Sequence, residues 1–312
     1  MEFFKIVTGL AFLYYGGDFL VNGSACLARY LKISPFVIGA TVIAFGTSAP
    51  ELAVGIFAAM DSAPELAMGN VIGSNIANIG LVLGLTCLIT TIVISPNRFK
   101  REYPPFLISA LLILFLAWDL KIYQLEGVLM VVLLSVYVLR SFKHKEEFSA
   151  DPEKEVRILS SKNPAFQCFL ILIGLTGLVG GAKLLVSGGV SIARILGISE
   201  WFIGITIVAV GTSLPEIVSS IIAARRGHGE MAIGNIFGSN IFNFLMVLGI
   251  TALIHPLDIN EPIRPDLLIA IGTTCLLLIL VLLGKYSLGK KSGSILLITY
   301  FLYIVLKGIT NI

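Results

Sequence analysis

The sequence predicts an all-α integral membrane protein: ten transmembrane helices arranged as two inverted five-helix repeats, with broken helices at a central site. Composition is the first supporting observation, since 56% of the 312 residues are hydrophobic, 13% are charged, and the mean hydropathy is +0.95. Soluble domains carry about a quarter charged residues, so this chain belongs in a lipid bilayer. The other two observations are a long internal duplication and polar motifs inside apolar segments.

Ten apolar segments are long enough to cross a bilayer, which takes about 20 residues per helix. They span residues 4–25, 35–60, 65–92, 103–120, 124–140, 165–190, 200–224, 230–254, 265–284 and 294–311. Gly, Pro, Ser and Asn interrupt the second, third, seventh and eighth segments, which makes these four the segments of interest for a site. The first segment shows no cleavage site of small residues after a basic start, which favours a retained span over a signal peptide.

The chain repeats itself at a constant offset of 165 residues. TVIAFGTSAPE at 41–51 matches TIVAVGTSLPE at 206–216, and GNVIGSNIAN at 69–78 matches GNIFGSNIFN at 234–243. Each copy holds five spans, an odd number, so the second copy enters the membrane from the opposite side, as in the inverted repeats of secondary transporters. We therefore expect a first repeat over 1–140, a linker over 141–164, and a second repeat over 165–312.

Basic residues predict the orientation in the membrane. If the N-terminus is outside, most Lys and Arg residues fall in inner loops, including Arg225, Arg226 and the cluster between Arg140 and Lys162. Positively charged loops stay in the cytoplasm, so we expect both termini outside and the linker inside, in a prokaryotic plasma membrane. The net charge of +3 then reflects topology and not a nucleic-acid surface.

The repeated prolines indicate where backbone oxygens become available. Pro50 has no amide hydrogen, and its ring crowds the carbonyl of Gly46 four residues earlier. We expect the helix to bend or open there, leaving the carbonyls of residues 44–47 without partners. In lipid such groups need protein, a polar cavity or a cation to satisfy them. Pro215 repeats the arrangement in the second half.

Side chains in the same motifs add further oxygen donors. Ser48 and Glu51 are three residues apart and Ser74 and Asn78 are four apart, so each pair shares a helical face. Each repeat thus supplies a carboxylate, two hydroxyls and an amide, the hard donors that Ca²⁺ takes. The sequence has no Cys–His cluster, which argues against zinc or copper. The carboxylates of Glu51 and Glu216 would balance one Ca²⁺ or two Na⁺.

Paired glycines predict close contacts between helices. Gly69 and Gly73 are four residues apart in the first copy, as are Gly234 and Gly238 in the second. Small residues at this spacing let neighbouring helix backbones approach in a membrane. We expect both pairs to line such contacts.

The motifs resemble those of the sodium/calcium exchanger branch of the Ca²⁺/cation antiporter superfamily. The two GTS-x-PE and two GNxxGSN sequences are similar to that family's α-repeats, and the ten-span topology with the N-terminus outside is similar as well. The resemblance covers essentially the whole chain and is to the compact prokaryotic type, because no large Ca²⁺-sensing insert separates the halves. It implies that Glu51 and Glu216 are the central Ca²⁺ ligands, aided by the carbonyls of Thr47 and Thr212.

The same resemblance implies additional ion ligands. Those of one Na⁺ site would be Ser48, Ser239 and the carbonyl of Ala44; those of its mirror site would be Ser213, Ser74 and the carbonyl of Ala209; Asn78 and Asn243 would line the middle. Several relatives carry an aspartate where this chain has Asn243, and the K⁺-dependent exchangers resemble that form. Asn243 therefore argues against K⁺ co-transport.

The leading interpretation is a secondary antiporter that extrudes Ca²⁺ in exchange for Na⁺ by alternating access. Both loads must compete for the two glutamates, because binding both would leave uncompensated positive charge in a low dielectric. The first and sixth spans, which are glycine-rich, are candidates for the moving pair. We expect no cofactor, no nucleic acid and no obligate protein partner. The partners would be Ca²⁺, Na⁺ and the lipid bilayer.

Three other functions stay open at this point. H⁺/Ca²⁺ antiport is possible because glutamates near the membrane centre can carry protons, although proton-coupled relatives usually show a GNAxE-like motif. A cation channel would use carboxylates and carbonyls for selectivity, but channels more often arrange several subunits around an axis. An intramembrane hydrolase is disfavoured because the glutamates lie in no HExxH pattern. We expect that the protein is not an enzyme.

Overall fold

The computed structural model describes residues 2–61, 63–143, 163–197, 209–260 and 262–310, and most of these residues are helical. Eight of the described helices are long and apolar enough to cross a membrane, and a bent helix pair would make nine. The prediction of an all-α membrane protein is confirmed. Most of the expected linker, residues 144–162, and the start of the seventh expected span lie outside the described residues.

The first half contains one long straight helix, one bent helix and three further spans. Its elements are α1 (Glu2–Leu31), α2 (Pro35–Ile38), the π-helix π1 (Gly39–Ile43), α3 (Ala44–Thr47), α4 (Ala49–Met60), α5 (Pro64–Ala77), the π-helix π2 (Asn78–Leu83), α6 (Gly84–Ile89), β1 (Ile92–Val93), α7 (Pro96–Leu116), a 3₁₀ turn (Ala117–Asp119), β2 (Lys121–Ile122) and α8 (Gln124–Lys143).

The second half repeats this order in its described residues. Its elements are α9 (Pro164–Ile195), α10 (Ala209–Thr212), α11 (Leu214–Arg225), α12 (Gly229–Phe242), the π-helix π3 (Asn243–Val247), α13 (Leu248–Ile254), β3 (Leu257–Asp258), α14 (Arg264–Leu283), β4 (Ser287–Leu288) and α15 (Lys290–Thr310). The short strands pair antiparallel as β1 with β4 and β2 with β3, so each pair ties one half to the other.

The helix breaks at the predicted proline. Ser48 leaves the regular helix between α3 and α4 (φ −83°, ψ 3°), and the two parts meet at 44°. Pro50 lies in the first turn of α4, where a missing amide hydrogen costs nothing. Ser213 has nearly the same conformation between α10 and α11 (φ −89°, ψ 2°), ahead of Pro215. The breaks expected in the second and seventh segments are therefore present.

The third and eighth segments, which Gly, Ser and Asn interrupt in the sequence, are not broken. Residues 64–89 and 229–254 each form one continuous helix. The interruption is instead a π-turn that starts at Asn78 in one helix and at Asn243 in the other. The physical reason is that glycine and asparagine keep the amide hydrogen that proline lacks, so the hydrogen-bond ladder shifts register but does not end.

Three helices organise the bundle. Every residue of α12 from Met231 to Phe242 is buried, so this helix forms the centre of the bundle. At one side α1 and α9 pack along each other through small residues. A Cβ atom at Gly9 would lie 2.8 Å from the carbonyl oxygen of Gly181, and one at Gly16 would lie 2.7 Å from the amide nitrogen of Leu178.

The close helix contacts predicted at Gly234 and Gly238 are present in the second half. A Cβ at Gly234 would collide with the backbone carbonyl of Phe36, and one at Gly238 would lie 2.6 Å from both the Cα of Ala40 and the Cβ of Ala44. For Gly69 and Gly73, no described atom lies within 4 Å of the corresponding Cβ position. The close contact expected in the first half is therefore not seen within the described residues.

Candidate functional site

The two repeated glutamates lie in equivalent positions, in the first turn of α4 and of α11. Each is only 1% exposed. The N-terminal end of a helix carries a partial positive charge, which favours a carboxylate there. Oε2 of Glu51 and both carboxylate oxygens of Glu216 are buried without a hydrogen-bond partner, and the two carboxyl groups interact electrostatically with each other. Two such groups require a positive counter-charge when they are ionised.

Neutral oxygens without partners belong to the same motifs. They are Oγ of Ser48, Oδ1 of Asn78 and Oδ1 of Asn243. Nearly all buried polar atoms in proteins find a hydrogen-bond partner, so unpartnered oxygens on the predicted site residues need an explanation. The donor set is a pair of carboxylates with neutral oxygens, which matches the ligands of a hard cation such as Ca²⁺.

Thr47 connects the first half to α12. Its hydroxyl lies 3.4 Å from Oδ1 of Asn235 and 3.4 Å from Oγ of Ser239. The amide nitrogen of Asn235 donates in turn to the hydroxyls of Ser219 and Ser220 at 3.2 and 3.0 Å. Ser239, one of the predicted Na⁺ ligands, therefore lies beside Thr47 and is fully buried.

We expected the bend to leave the carbonyl of Ala44 without a hydrogen-bond partner, but the carbonyl has one. It accepts the amide hydrogen of Ser48 at 2.9 Å, and the Thr47 hydroxyl lies 3.4 Å away. The reason is that Ser48 stays close enough to the helical path to keep its bond to the residue four positions earlier. A carbonyl oxygen has two lone pairs, so a cation would contact Ala44 in place of the long contact with the Thr47 hydroxyl.

The mirror set from the second half is placed as follows. Ser213 is 2% exposed at the break before α11, and Thr212, half-buried, is the last residue of α10. Ser74 is 6% exposed, and its side chain interacts with the carboxyl group of Glu51. Ala209 begins α10, and its side chain lies outside the described residues.

Four asparagines bridge the two halves, and two of them were missed by the sequence reasoning. Nδ2 of Asn75 donates to the backbone carbonyl of Asn240 at 3.2 Å, and Nδ2 of Asn240 donates to the backbone carbonyl of Asn75 at 3.3 Å. Nδ2 of Asn243 donates to Oδ1 of Asn75 at 3.0 Å, and Nδ2 of Asn78 donates to Oδ1 of Asn240 at 2.9 Å. Asn75 and Asn240 stand in the repeated GSN sequence at the same offset of 165, which was the available signal.

A charged cluster joins α1 to the end of α11. The guanidinium of Arg226 pairs with the carboxylate of Asp18 and donates to Oδ1 of Asn22 at 2.9 Å. Nδ2 of Asn22 donates back to Asp18 at 3.2 Å, which closes the cluster. Because Arg226 follows directly after α11, this contact holds the far end of the glutamate-bearing helix against α1.

A family model described as "Sodium/calcium exchanger protein" matches residues 2–143 and 166–308. The chain belongs to the sodium/calcium exchanger family. Relatives in the family include the sodium/calcium exchanger MaX1 of Methanosarcina acetivorans, which is 33% identical over 98% of both chains. The putative antiporter CaxA of Alkalimonas amylolytica is 38% identical over 96% of both chains.

Solved structures of the sodium-calcium exchanger NCX_Mj share the fold of this family member. The form soaked with zero Na⁺ and Ca²⁺ superposes with a TM-score of 0.84, at 34% identity, over 97% of this chain and 98% of that chain. The form soaked with 10 mM Na⁺ and zero Ca²⁺ gives a TM-score of 0.81 over the same shares. The predicted family resemblance is thus confirmed along nearly the whole chain.

Proposed function

We propose that the protein is a secondary antiporter that exchanges Na⁺ for Ca²⁺ across the membrane and normally extrudes Ca²⁺. The observation that carries this proposal is the pair of buried glutamates, one from each half, whose carboxylate oxygens largely lack partners. Their combined charge of −2 balances one Ca²⁺ or two Na⁺. If Ca²⁺ and Na⁺ bound at the same time, excess positive charge would remain in a low dielectric. The two kinds of ion therefore compete for one site.

The neutral donors divide into a central set and two flanking sets. Glu51 and Glu216 hold Ca²⁺ together with the backbone carbonyls of Thr47 and Thr212, and Asn78 and Asn243 line the middle. The flanking Na⁺ sites consist of Ser48, Ser239 and the Ala44 carbonyl on one side, and of Ser213, Ser74 and the Ala209 carbonyl on the other. The unpartnered hydroxyl of Ser48 and the burial of Ser239 support the first of these sets.

The proposed architecture has ten spans in two inverted repeats, 1–140 and 165–312, joined by a cytoplasmic linker over 141–164. The separate matches of the family model to 2–143 and 166–308 support this division. The shared order of elements, with equivalent breaks at Ser48 and Ser213, supports the repeat. We place both termini outside a prokaryotic plasma membrane, because the basic residues concentrate in the loops that then face the cytoplasm.

Alternating access follows from an asymmetry between the repeats. Gly17 of α1 faces the side chains of Val218 and Ile222 on α11, where a Cβ would lie 2.9 and 2.6 Å from them. The repeat equivalent of Ile222 is Phe57 on α4, and its side chain is 65% exposed. The α11 end of the site is therefore covered by α1, and the equivalent α4 end, near Phe57, is less covered. Movement of α1 and α9 along the bundle would exchange the two ends.

The decisive experiment is Ca²⁺ uptake into proteoliposomes driven by an outward Na⁺ gradient. Wild-type protein should accumulate Ca²⁺, and Glu51→Gln and Glu216→Gln should each lose nearly all exchange because one ligand charge is gone. Glu65→Gln is the matched control, since Glu65 lies outside the motifs and its carboxylate accepts hydrogen bonds from the exposed Asn260. Near-normal exchange by either glutamine variant of the site would overturn the ligand assignment.

The same vesicles separate the other candidate functions. Uptake driven by a pH gradient without Na⁺ would indicate H⁺/Ca²⁺ antiport. Ca²⁺ entry without any internal counter-ion would indicate a channel. Under Na⁺-coupled exchange, both conditions give no more uptake than protein-free liposomes.

A further inference from the structure

The asparagine network fixes which way each amide points. A backbone carbonyl can only accept a hydrogen bond. Because Asn75 faces the carbonyl of Asn240 at 3.2 Å, it must present its NH₂ group there, and Asn240 is fixed in the same way by the carbonyl of Asn75 at 3.3 Å. The side-chain oxygens of both residues are therefore the atoms left to face their other neighbours.

This constraint passes on to the two asparagines at the middle of the site. Oδ1 of Asn75 can only accept, so Asn243 must turn its NH₂ group toward it, at 3.0 Å. Asn78 must likewise turn its NH₂ group toward Oδ1 of Asn240, at 2.9 Å. The Oδ1 atoms of Asn78 and Asn243 are then directed away from these bonds, and both are buried without a partner.

A network of asparagines with a purely structural role would leave no buried amide oxygen without a partner. Buried asparagines with a packing role satisfy both ends of the amide, because an unpaired buried oxygen costs about 1–3 kcal/mol. Here the unsatisfied atoms are two oxygens and no nitrogens among the four residues, and both belong to the residues that begin π2 and π3. A π-turn inside a helix is frequent at functional sites.

We propose that Asn75 and Asn240 are positioning residues that orient Asn243 and Asn78, so that the cation site receives two amide oxygens and no amide N–H group. The inference rests on the proposed function, because it specifies how that ion site is built. Each positioning residue acts across the interface between the halves, so the orientation of the amide in one half depends on the other half. The chain thereby presents a neutral oxygen at both positions while the glutamates supply all of the charge.

Ca²⁺ binding to purified protein, measured by titration calorimetry without Na⁺, tests this inference. Replacing Asn75 with the similarly sized Leu removes the acceptor that orients Asn243. We expect Asn75→Leu to weaken Ca²⁺ binding about 10- to 100-fold, which is the usual effect of removing a group that orients a metal ligand.

A change of background tells positioning from a general loss of structure. A carboxylate presents an oxygen whichever way it turns, so orientation is irrelevant in the Asn243→Asp background. There, adding Asn75→Leu should change the Ca²⁺ dissociation constant less than about twofold, within the scatter of additive effects. In the Asn78→Asp background the full loss should remain, because Asn243 is still an amide.

The outcomes are distinct for each possibility. An equal loss in both backgrounds would overturn the inference in favour of a packing role for Asn75. Unchanged Ca²⁺ binding by Asn75→Leu alone would overturn it as well. If wild-type protein bound Ca²⁺ but showed no Na⁺-driven exchange, the proposed function would be overturned. The positioning role would still be tested, because that test depends only on Ca²⁺ binding.

Discussion

At the scale of single residues, the predicted site collects buried oxygens without a hydrogen-bond partner, among them the hydroxyl of Ser48 and the carboxylate oxygens of Glu216. Several buried hydroxyls elsewhere in the bundle donate to a carbonyl in the preceding turn, as Thr86 does to Val82 at 2.7 Å and Thr251 to Val247 at 2.6 Å. This bond is the normal way for a hydroxyl to be satisfied inside a helix. Ser48 stands at the break between α3 and α4, and its hydroxyl has no partner.

The first prediction concerns that hydroxyl. Ser48→Ala should raise the Na⁺ concentration for half-maximal exchange roughly fivefold, because one oxygen contact of hydrogen-bond strength contributes about 1 kcal/mol. The apparent affinity for Ca²⁺ should change much less, since Ser48 belongs to the flanking set. Exchange is measured in proteoliposomes at varied Na⁺ and Ca²⁺. Ser24→Ala is the control, because Ser24 in α1 also has a buried, unpartnered hydroxyl but lies outside the motifs. Equal effects of the two substitutions would contradict the role given to Ser48.

At the scale of elements, proline and asparagine interrupt helices in different ways. Pro50 is preceded by a break with a 44° bend, whereas Asn78 and Asn243 each begin a π-turn within a continuous helix. The break before proline turns the chain and places a glutamate at the start of a new helix. The π-turn shifts the register of the backbone hydrogen bonds without ending the helix, so α12 and its repeat equivalent α5 continue across the site.

The second prediction tests the break. Pro50→Ala supplies the missing amide hydrogen and permits α3 to continue into α4, which would displace Glu51. We expect exchange to fall roughly tenfold or more, because small displacements of groups that hold a substrate are costly. The unfolding temperature in detergent should be unchanged or higher, since alanine is the better helix former. Pro96→Ala is the control, as Pro96 also opens a helix but lies outside the motifs. Normal exchange by Pro50→Ala would show that the bend is dispensable.

The third prediction concerns a glycine in a close helix contact. A Cβ at Gly238 would lie 2.6 Å from both the Cα of Ala40 and the Cβ of Ala44. Gly238→Ala should therefore destabilise the protein by about 1–3 kcal/mol through overpacking. Gly272→Ala is the control, because Gly272 is exposed on α14 and no described atom lies within 4 Å of a Cβ there. It should be neutral or slightly stabilising, since alanine favours the helix by up to about 1 kcal/mol. Unfolding in detergent measures both, and a similar loss for the two variants would contradict the close contact at Gly238.

At the scale of the whole molecule, the repeat relates two charged pairs of opposite polarity. Asp18 and Arg226 form an ion pair between α1 and the end of α11. At an offset of 165, their equivalents are Lys183 on α9 and Asp61 at the end of α4. The latter two side chains are exposed and form no ion pair with each other among the described residues. We expect them to meet when α9 covers α4 in the way that α1 covers α11 here.

The fourth prediction follows from that equivalence. Lys183→Asp and Asp61→Lys should each slow exchange, and the double variant should recover roughly two- to fivefold, the usual coupling of a partly exposed ion pair. The coupling would arise from a state other than the one described, because the two side chains are apart here. The Lys121–Asp258 pair, which is already formed and exposed, gives the control: reversing it should leave exchange unaffected. Purely additive effects at positions 61 and 183 would show that they never meet.

The sequence by itself determined the membrane class and the family, and it predicted the position of the site. Composition alone required a bilayer, and the duplication at a constant offset paired Glu51 with Glu216. Proline at positions 50 and 215 was sufficient to predict the broken helices, because a missing amide hydrogen acts locally. These features depend on residues that are close in the chain or equal in both copies.

Only the tertiary structure decided which residues meet across the two repeats. It showed that Gly238 lies in a close contact, that Asp18 pairs with Arg226, and that Asn75 and Asn240 hydrogen-bond to each other across the halves. The physical reason is that these partners are far apart in the chain, so no local pattern in the sequence shows that they meet.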